Sequence, residues 1–402
     1  MKRAAIFQYQ WPLQSHIVNL AEALALAGYE VDIFIKDCSS DLVDLARLQM
    51  LSQINIISFN STSAGSRQKI FLRRLHKLYE YAMKRFSYAP IIIPSVVAAF
   101  PCVRNKRYSF FIGIEKMGLI WAGFLSMLTE TPFVYYSLEL YDEQHPFFIG
   151  SPGFPALRSL EKKFHQKSAA TIVQDRLRGE HLFRSNEIIG NRMIFLPVSV
   201  PGPPAEHKID SYRVQWKIPA ELPIVLYLGL IEDTRHCLDL AYVARDHADK
   251  FRVVYHGYGE TEYLDRIRCA AGEAVTLSTE LVPENLLPDL VASADIGLVF
   301  YKNDCANDLL TAFSSEKVAL YCRAGVPFIA FDTVSYRELV ERFQCCVLIK
   351  NIREFPQAVE VILNDYSAYS INAIKAFRKY YQYETNMVPV IKQLSMFDRP
   401  DL

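Results

Sequence analysis

The chain has 402 residues, of which 51% are hydrophobic, which suits two domains better than one ordinary core. Basic and acidic residues balance at 44 each, so the chain has no overall positive charge that would attract nucleic acid, and we expect no nucleic-acid partner. The eight cysteines show neither a C-x-x-C pair nor zinc spacing, and we expect reduced thiols and no metal site. The opening residues lack the apolar core of a signal peptide, and the longest apolar runs are too short to cross a bilayer. We therefore expect a cytoplasmic protein.

Strand and helix patterns alternate through the first half. Ala4–Phe7 predicts a strand, the apolar spacing over Ile17–Leu24 predicts a helix, and Gly28 stands where that helix would end. Strands alternating with helices predict a parallel sheet covered on both faces. The further strands predicted in this half are Val31–Ile35, Ile54–Phe59, Tyr108–Ile114, Pro132–Tyr136, Thr171–Gln174 and Met193–Leu196.

Four prolines in residues 197–204 exclude a helix or a central strand there and predict a linker. The alternation then restarts, so we predict an α/β fold of two doubly wound Rossmann-like domains, residues 1–198 and 205–375, facing a cleft. A helical tail over 376–402 is expected to cross back to the first domain. The strands predicted in the second half are Pro223–Leu228, Phe251–His256, Val275–Ser278, Ile296–Phe300, Pro327–Phe331 and Val347–Ile349.

Ligands of such sheets bind outside the carboxyl ends of the strands. Three segments of the second domain that follow predicted strands are therefore candidates for a ligand site. Gly229 follows the first strand, and Arg235 near the next helix would add positive charge to an anion site, although it could equally be a surface arginine. Gly257 and Gly259 follow the second strand, but Glu262 replaces the third glycine of the dinucleotide fingerprint.

The third segment runs from Ser314 to Pro327. Ser314 or Ser315 can cap a helix whose first turn then holds Glu316 and Lys317. A lysine opposes the helix dipole there, which makes sense if it meets an anion; a solvated lysine on a plain amphipathic helix is the alternative. Gly325 would end the helix.

In their order and spacing, these segments resemble the donor-binding half of GT-B glycosyltransferases, especially the large retaining group similar to family 4. The stretch from Leu13 to Val31 resembles that group's opening loop and helix. The resemblance implies transfer of a sugar from a UDP- or GDP-sugar, without metal or cofactor, to an acceptor such as a glycan, a lipid-linked sugar or a small molecule. The donor diphosphate would contact Gly229, Arg235 and Lys317, and the nucleotide would contact Gly257, Gly259, Glu260, Leu281, Val282 and Glu316.

The chain also departs from that group. Its paired glutamates would fall near Ala312 and Leu320, and neither is acidic. Glu316 could substitute, one helical turn earlier. A protein that kept the fold as a sugar-nucleotide-binding scaffold without turnover is therefore the alternative function.

The catalytic candidates lie in the first domain. Glu139 follows the strand Pro132–Tyr136, where a carboxylate could act as a general base toward an acceptor hydroxyl. His145 lies a few residues later, and His16 opens the first helix, where it either contacts a ligand or caps the helix. An ordinary solvated acidic loop explains Glu139 and His145 equally well. The basic segment 67–85 carries an apolar stripe and suits either a solvated face or the surface of an anionic membrane, on its inner side.

Overall fold

The computed structural model describes residues 2–9, 15–35, 47–48, 50–58, 89–143, 145, 153–280, 282–283, 286–302 and 304–398. The chain divides into two compact units, Met1–Leu196 together with Met387–Leu402, and Pro197–Asn386. Each unit contains one wholly parallel sheet with helices between the strands, so the predicted α/β class is confirmed. Every predicted strand is present within one or two residues of its expected limits.

The first unit contains a seven-stranded sheet in the order β3-β2-β1-β4-β5-β6-β7. The direction of winding changes between β1 and β4, since β2 and β3 lie on one side of β1 and the later strands on the other. These strands are β1 (Lys2–Gln8), β2 (Tyr29–Ile35), β3 (Ile54–Ser58), β4 (Phe110–Ile114), β5 (Phe133–Tyr136), β6 (Ala170–Val173) and β7 (Met193–Phe195).

The central strands β1, β2, β4, β5 and β6 are buried almost throughout, as parallel strands covered on both faces should be. Gly28 adopts a positive φ of 87° directly after the first helix and turns the chain into β2. The described helices of this unit are α1 (Ser15–Leu26), α2 (Ala89–Val103), α3 (Glu115–Thr129), α4 (Phe154–His165) and α5 (Arg176–Asn186).

The second unit contains a six-stranded sheet in the order β10-β9-β8-β11-β12-β13. Its winding changes direction between β8 and β11. The strands are β8 (Ile224–Leu228), β9 (Arg252–His256), β10 (Val275–Ser278), β11 (Ile296–Val299), β12 (Phe328–Phe331) and β13 (Cys346–Ile349).

Separate apolar clusters cover the two faces of this second sheet, because alternate residues of each strand point to opposite sides. Leu226 and Val254 belong to one cluster, and Val225 and Val253 belong to the other. The α-helices of this unit are α6 (Ser211–Trp216), α7 (Cys237–Arg245), α8 (Thr261–Ala271), α9 (Leu287–Val291), α10 (Ala306–Leu309), α11 (Glu316–Arg323), α12 (Val334–Phe343), α13 (Phe355–Asn364) and α14 (Tyr366–Ala376). The last helix, α15 (Tyr383–Leu394), belongs to the first unit from Met387 onward. Short 3-10 turns occupy Asp233–Arg235, Gly272–Ala274, Ile352–Glu354 and Ser395–Phe397, and a π-turn occupies Phe377–Tyr381.

The proline-rich stretch after β7 is extended and packs within the second unit. The backbone N–H of Val198 donates to Phe313 O at 2.9 Å, and that of Val200 donates to Tyr381 O at 3.0 Å. The final residues belong instead to the first unit, where the carboxylate of Asp398 accepts a hydrogen bond from the Tyr29 hydroxyl at 2.8 Å.

No helix in the described part of the chain is both long enough and apolar enough to cross a membrane. The seven cysteines that fall in the described ranges are all free thiols.

Candidate functional site

The carboxyl ends of β8 and β11 mark the point where the second sheet reverses its winding, which is where ligands of doubly wound sheets bind. Gly229 follows β8 directly and has a φ of 117°, a conformation that favours glycine. A Cβ atom placed on Gly229 would lie 3.8 Å from the Lys317 ammonium. The glycine therefore leaves open the space beside a cation.

The loop after β9 lies directly against the loop after β8. The N–H of Gly229 donates to His256 O at 2.9 Å, and the N–H of Ile231 donates to Tyr258 O at 2.7 Å. A Cβ on Gly257, whose φ is 152°, would lie 1.9 Å from Gly229 O, and a Cβ on Gly259 would lie 2.4 Å from Ile231 O. Both glycines are thus required for the close approach of two backbone segments, which fixes the shape of the strand ends.

Two cations meet around one aromatic ring at this position. The Arg235 guanidinium lies 4.6 Å from the centroid of Tyr301, and the Lys317 ammonium lies 4.8 Å from the same centroid. The Lys317 ammonium also lies 4.9 Å from the ring of Tyr227. Residues separated by more than 80 positions in sequence therefore place their positive charge in one small volume.

Tyr301, which follows β11 and was not among the sequence candidates, organises this cluster. Its hydroxyl lies 3.0 Å from the Ser315 Oγ, so Ser315 precedes α11 as predicted but its side chain holds Tyr301 instead of capping the helix. The only sequence signal for it was its place, an aromatic residue immediately after the strand at the reversal of winding.

The charge of this cluster is incompletely neutralised. Arg235 faces Asp308 at 3.6 Å and Glu232 at 3.9 Å, both longer than a good ion pair. Among the residues that the structure describes, no carboxylate lies within ion-pair distance of Lys317, which belongs to the first turn of α11. Two side-chain cations and a helix start together form a surface suited to a multiply charged anion such as a diphosphate.

The remaining nucleotide candidates of this unit fall at different places. Glu260 precedes α8 and Glu316 opens α11, and both side chains are exposed. Val282 follows β10 and is half-buried, whereas Leu281 lies outside the described residues. The structure thus brings Gly229, Arg235 and Lys317 together with the glycine pair Gly257 and Gly259.

The positions that lack the paired glutamates are part of the core. Ala312 and Leu320 are buried, and the backbone of Ala312 accepts a hydrogen bond from the Tyr381 hydroxyl at 2.8 Å. The N–H of Ala312 donates to Ser335 Oγ at 3.1 Å. A carboxylate in these surroundings would be desolvated beside apolar side chains, which explains why neither position is acidic here.

A carboxylate that sequence reasoning missed lies at the corresponding reversal point of the first sheet. Glu115 directly follows β4 and has a φ of 56°, which is strained for a residue other than glycine. Its Oε1 accepts hydrogen bonds from the backbone N–H of Leu138 at 2.5 Å and of Glu139 at 2.9 Å. Burial raises the pKa of Glu115 to about 7, with Lys116 acting in the opposite direction and Glu139 adding to the increase. Glu115 can therefore gain or lose a proton near neutral pH.

The loop after β5 is held rigidly around this carboxylate. The buried guanidinium of Arg178 donates to Leu138 O at 2.5 Å and to Gln174 Oε1 at 2.7 Å. The amide of Gln174 donates in turn to Ser137 O at 2.8 Å. This fixed loop presents Glu139, which is half-buried, at the carboxyl edge of the sheet.

Burial lowers the pKa of both histidine candidates. His16, the second residue of α1, stands 6.3 Å from the ring of Tyr136, and burial lowers its pKa to about 4. Within the described residues neither His16 Nε2 nor the Tyr136 hydroxyl has a hydrogen-bond partner, although both atoms are buried. His145 is buried with its ring 4.6 Å from that of Tyr141, and burial lowers its pKa. Both imidazoles are therefore neutral at physiological pH.

The described parts of the chain contain no group of three or more His, Cys, Asp or Glu side chains placed to hold a metal ion. The basic segment 67–85 lies outside the described residues.

No protein-family model and no curated protein sequence matches this chain. Solved structures do resemble it over nearly its whole length. Sucrose-phosphate synthase from Thermosynechococcus elongatus is 15% identical and superimposes with a TM-score of 0.69, covering 98% of this chain and 99% of its own. HepE from Anabaena, solved with UDP and glucose, is 14% identical with a TM-score of 0.68 and covers 98% and 100%. A glycosyltransferase from Rickettsia africae is 11% identical with a TM-score of 0.70 and covers 98% of both chains. The two parallel sheets of this chain therefore form the GT-B fold of glycosyltransferases.

Proposed function

We propose that this chain is a glycosyltransferase that transfers a sugar from a UDP- or GDP-sugar to an acceptor hydroxyl. The observation that carries the proposal is the meeting of Arg235 and Lys317 around Tyr301, beside the open backbone of Gly229. Two fixed cations at the reversal point of the second sheet suit a nucleoside diphosphate, because its negatively charged phosphates would neutralise them. HepE, which shares this fold, was solved with UDP and glucose.

The donor would be held by the second unit. Lys317 and Arg235 bind the diphosphate oxygens, and the absence of a side chain at Gly229 lets these oxygens approach the backbone. The loop at Gly257 and Gly259, with Glu260, Leu281 and Val282, would contact the nucleotide. Glu316 is assigned to the ribose as a replacement for the family 4-like glutamate, and its exposed position leaves it accessible to a ligand.

At the anomeric carbon the reaction makes one bond and breaks one, and the acceptor oxygen loses its proton. The acceptor oxygen bonds to the anomeric carbon of the donor sugar, and the bond from that carbon to the diphosphate oxygen breaks, its electron pair leaving on the diphosphate. Lys317 and Arg235 stabilise the charge that develops on the leaving diphosphate, a role that elsewhere can fall to a metal ion. We accordingly propose chemistry that needs neither a metal nor a cofactor.

The acceptor proton would be taken up in the first unit. A carboxylate whose pKa is about 7 is well matched to general-base catalysis at neutral pH, and we assign this role to Glu115 before Glu139. The backbone N–H of Glu139 donates to Glu115 Oε1, so the two residues lie next to each other. The neutral His16 and His145 would position the acceptor by hydrogen bonding.

The test combines donor binding with turnover. Thermal unfolding is followed with UDP, GDP, ADP, CMP and dTDP and their common sugars, on the wild type and on the double variant Arg235→Ala, Lys317→Ala. A stabilising shift with one nucleotide family that the double variant loses supports the donor site and identifies the base.

Donor hydrolysis and transfer then separate the enzyme from the scaffold alternative. Release of UDP or GDP that depends on Glu115 supports the enzyme. Tight binding with no release in the presence of any acceptor would favour a binding scaffold, and no shift with any nucleotide would refute the donor site itself.

A further inference from the structure

Helix α2 (Ala89–Val103) of the first unit contains no charged residue, yet one of its faces is open to solvent. Ile93 is 52% exposed and Val97, one turn later, is 66% exposed. The opposite face is buried by Ile92, Val96 and Ala99. The residues that share the open face with Ile93 and Val97 are Pro94, Ala98 and Pro101.

This face is unusual for an exposed helix. A helix on a protein surface ordinarily turns charged or polar side chains to water, and contiguous apolar exposure marks an interaction site. The fifteen residues of α2 extend about 22 Å along the unit, at 1.5 Å per residue. The exposed apolar residues described on this helix run from Ile93 to Pro101, which is more than two helical turns.

Cations collect at one end of this face. Arg104 and Arg107 follow α2 and are exposed, and they line one surface depression with Met127 and Leu128 at the end of α3. Met127 is 59% exposed and Leu128 is 57% exposed, so further apolar surface lies beside these cations, on the helix that packs against α2. The same depression contains Lys106, which is paired with Asp32, and one acidic residue, Glu130.

We propose that this surface, defined by Ile93, Val97, Met127, Leu128, Arg104 and Arg107, binds an anionic lipid bilayer. Apolar side chains without charge among them can enter the boundary between headgroups and acyl chains, while guanidinium groups beside them bind lipid phosphates. The chain as a whole has no net charge, so this local grouping of cations, and not a general field, would direct it to an anionic surface. The inference is independent of the donor site, which lies in the other unit.

The experiment measures co-flotation of the full-length chain with phosphatidylcholine vesicles that contain or lack phosphatidylglycerol. One variant carries Ile93→Glu and Val97→Glu, and a second carries Arg104→Glu and Arg107→Glu. Each basic residue near a membrane surface contributes about fivefold in affinity, so losing two lowers binding by roughly 25-fold before the added negative charges count. Placing two carboxylates at the acyl boundary should abolish binding.

The matched control carries Val214→Glu and Ile371→Glu, two exposed apolar residues of the second unit. It should bind vesicles like the wild type, and all three variants should keep the wild-type circular dichroism spectrum and melting transition, which shows that they fold. The inference is wrong if the wild type does not float with phosphatidylglycerol, or if both surface variants still do. It is also wrong if only changes in 67–85 remove binding, or if the surface variants instead abolish a dimer seen by sedimentation.

Discussion

Replacing Lys317 by alanine tests the donor site with little disturbance of the fold. Its ammonium lies over the rings of Tyr227 and Tyr301, and in the described part of the chain no carboxylate forms an ion pair with it. The free protein should lose only these cation–π contacts, about 0.5–1 kcal/mol each. The complex should lose much more, because a hydrogen bond to a charged group contributes about 1.5–3 kcal/mol.

That loss corresponds to a dissociation constant raised roughly 10- to 150-fold, at about 1.4 kcal/mol for each factor of ten. Nucleotide at about 100 times its dissociation constant stabilises the wild type by about 2.7 kcal/mol. With binding about 30-fold weaker, the same concentration stabilises the variant by only about 0.9 kcal/mol. For a unit of the size of Pro197–Asn386, the melting shift should fall from roughly 5–11 °C to about 2–4 °C.

Differential scanning fluorimetry with UDP and GDP measures both shifts, and isothermal titration calorimetry gives the dissociation constants. Lys250→Ala is the matched control, since Lys250 precedes β9 at the amino edge of the same sheet and pairs with Glu360. The control should bind like the wild type. An equal loss of affinity in both variants, or no loss in Lys317→Ala, would refute the assignment of the diphosphate to this cluster.

The other predictions concern the strand ends and the buried carboxylates. Gly257→Ala should lower the free energy of unfolding, measured in urea, by more than about 2 kcal/mol, because it combines a disfavoured φ with a clash against Gly229 O. Gly272→Ala is the control: nothing lies within 4 Å of the new Cβ, so only the disfavoured φ remains and the cost should be about 1 kcal/mol. The pKa of Glu115 is about 7 in the folded protein, above its ordinary value of about 4.5, so between these pH values the folded state binds a proton that the unfolded state has lost. The free energy of unfolding should therefore decrease as pH rises from about 4.5 to about 7, and Glu115→Gln should remove this decrease. The same substitution should remove an inflection near pH 7 in kcat/KM, where the deprotonated base gains activity with rising pH. Glu161→Ala should destabilise the first unit by about 3–5 kcal/mol, since it leaves the buried cations Arg158 and Lys116 without their shared carboxylate, and a melt unchanged from wild type would contradict this.

The fold class could be predicted from the sequence because local patterns determine each strand and each helix. Each strand of the second unit is a short apolar run between turn residues, which is the pattern of a parallel strand covered on both faces. The glycines at 257 and 259 were identifiable for a similar reason, since a strand end followed by two glycines indicates close backbone approach. Sequence could not reveal the partner of that approach, the loop at Gly229, because the two segments meet only through the pairing of β8 with β9.

Tyr301 and Glu115 show the limit of sequence reasoning more clearly. Each follows the strand next to the first strand of its sheet, β11 beside β8 and β4 beside β1, and this adjacency is a property of strand order that no local pattern states. Glu139 was visible because it stands in an acidic loop after a strand, whereas Glu115 reads as the first residue of a helix, where glutamate is ordinary. What distinguishes Glu115 is its contact with the loop after the neighbouring strand β5: its carboxylate accepts hydrogen bonds from two backbone N–H groups there, and burial raises its pKa. The reversal point of each sheet is therefore where the chain concentrates its unusual chemistry, a positive cluster in one unit and a protonatable carboxylate in the other. That division matches a reaction in which one group must hold a departing anion and another must accept a proton.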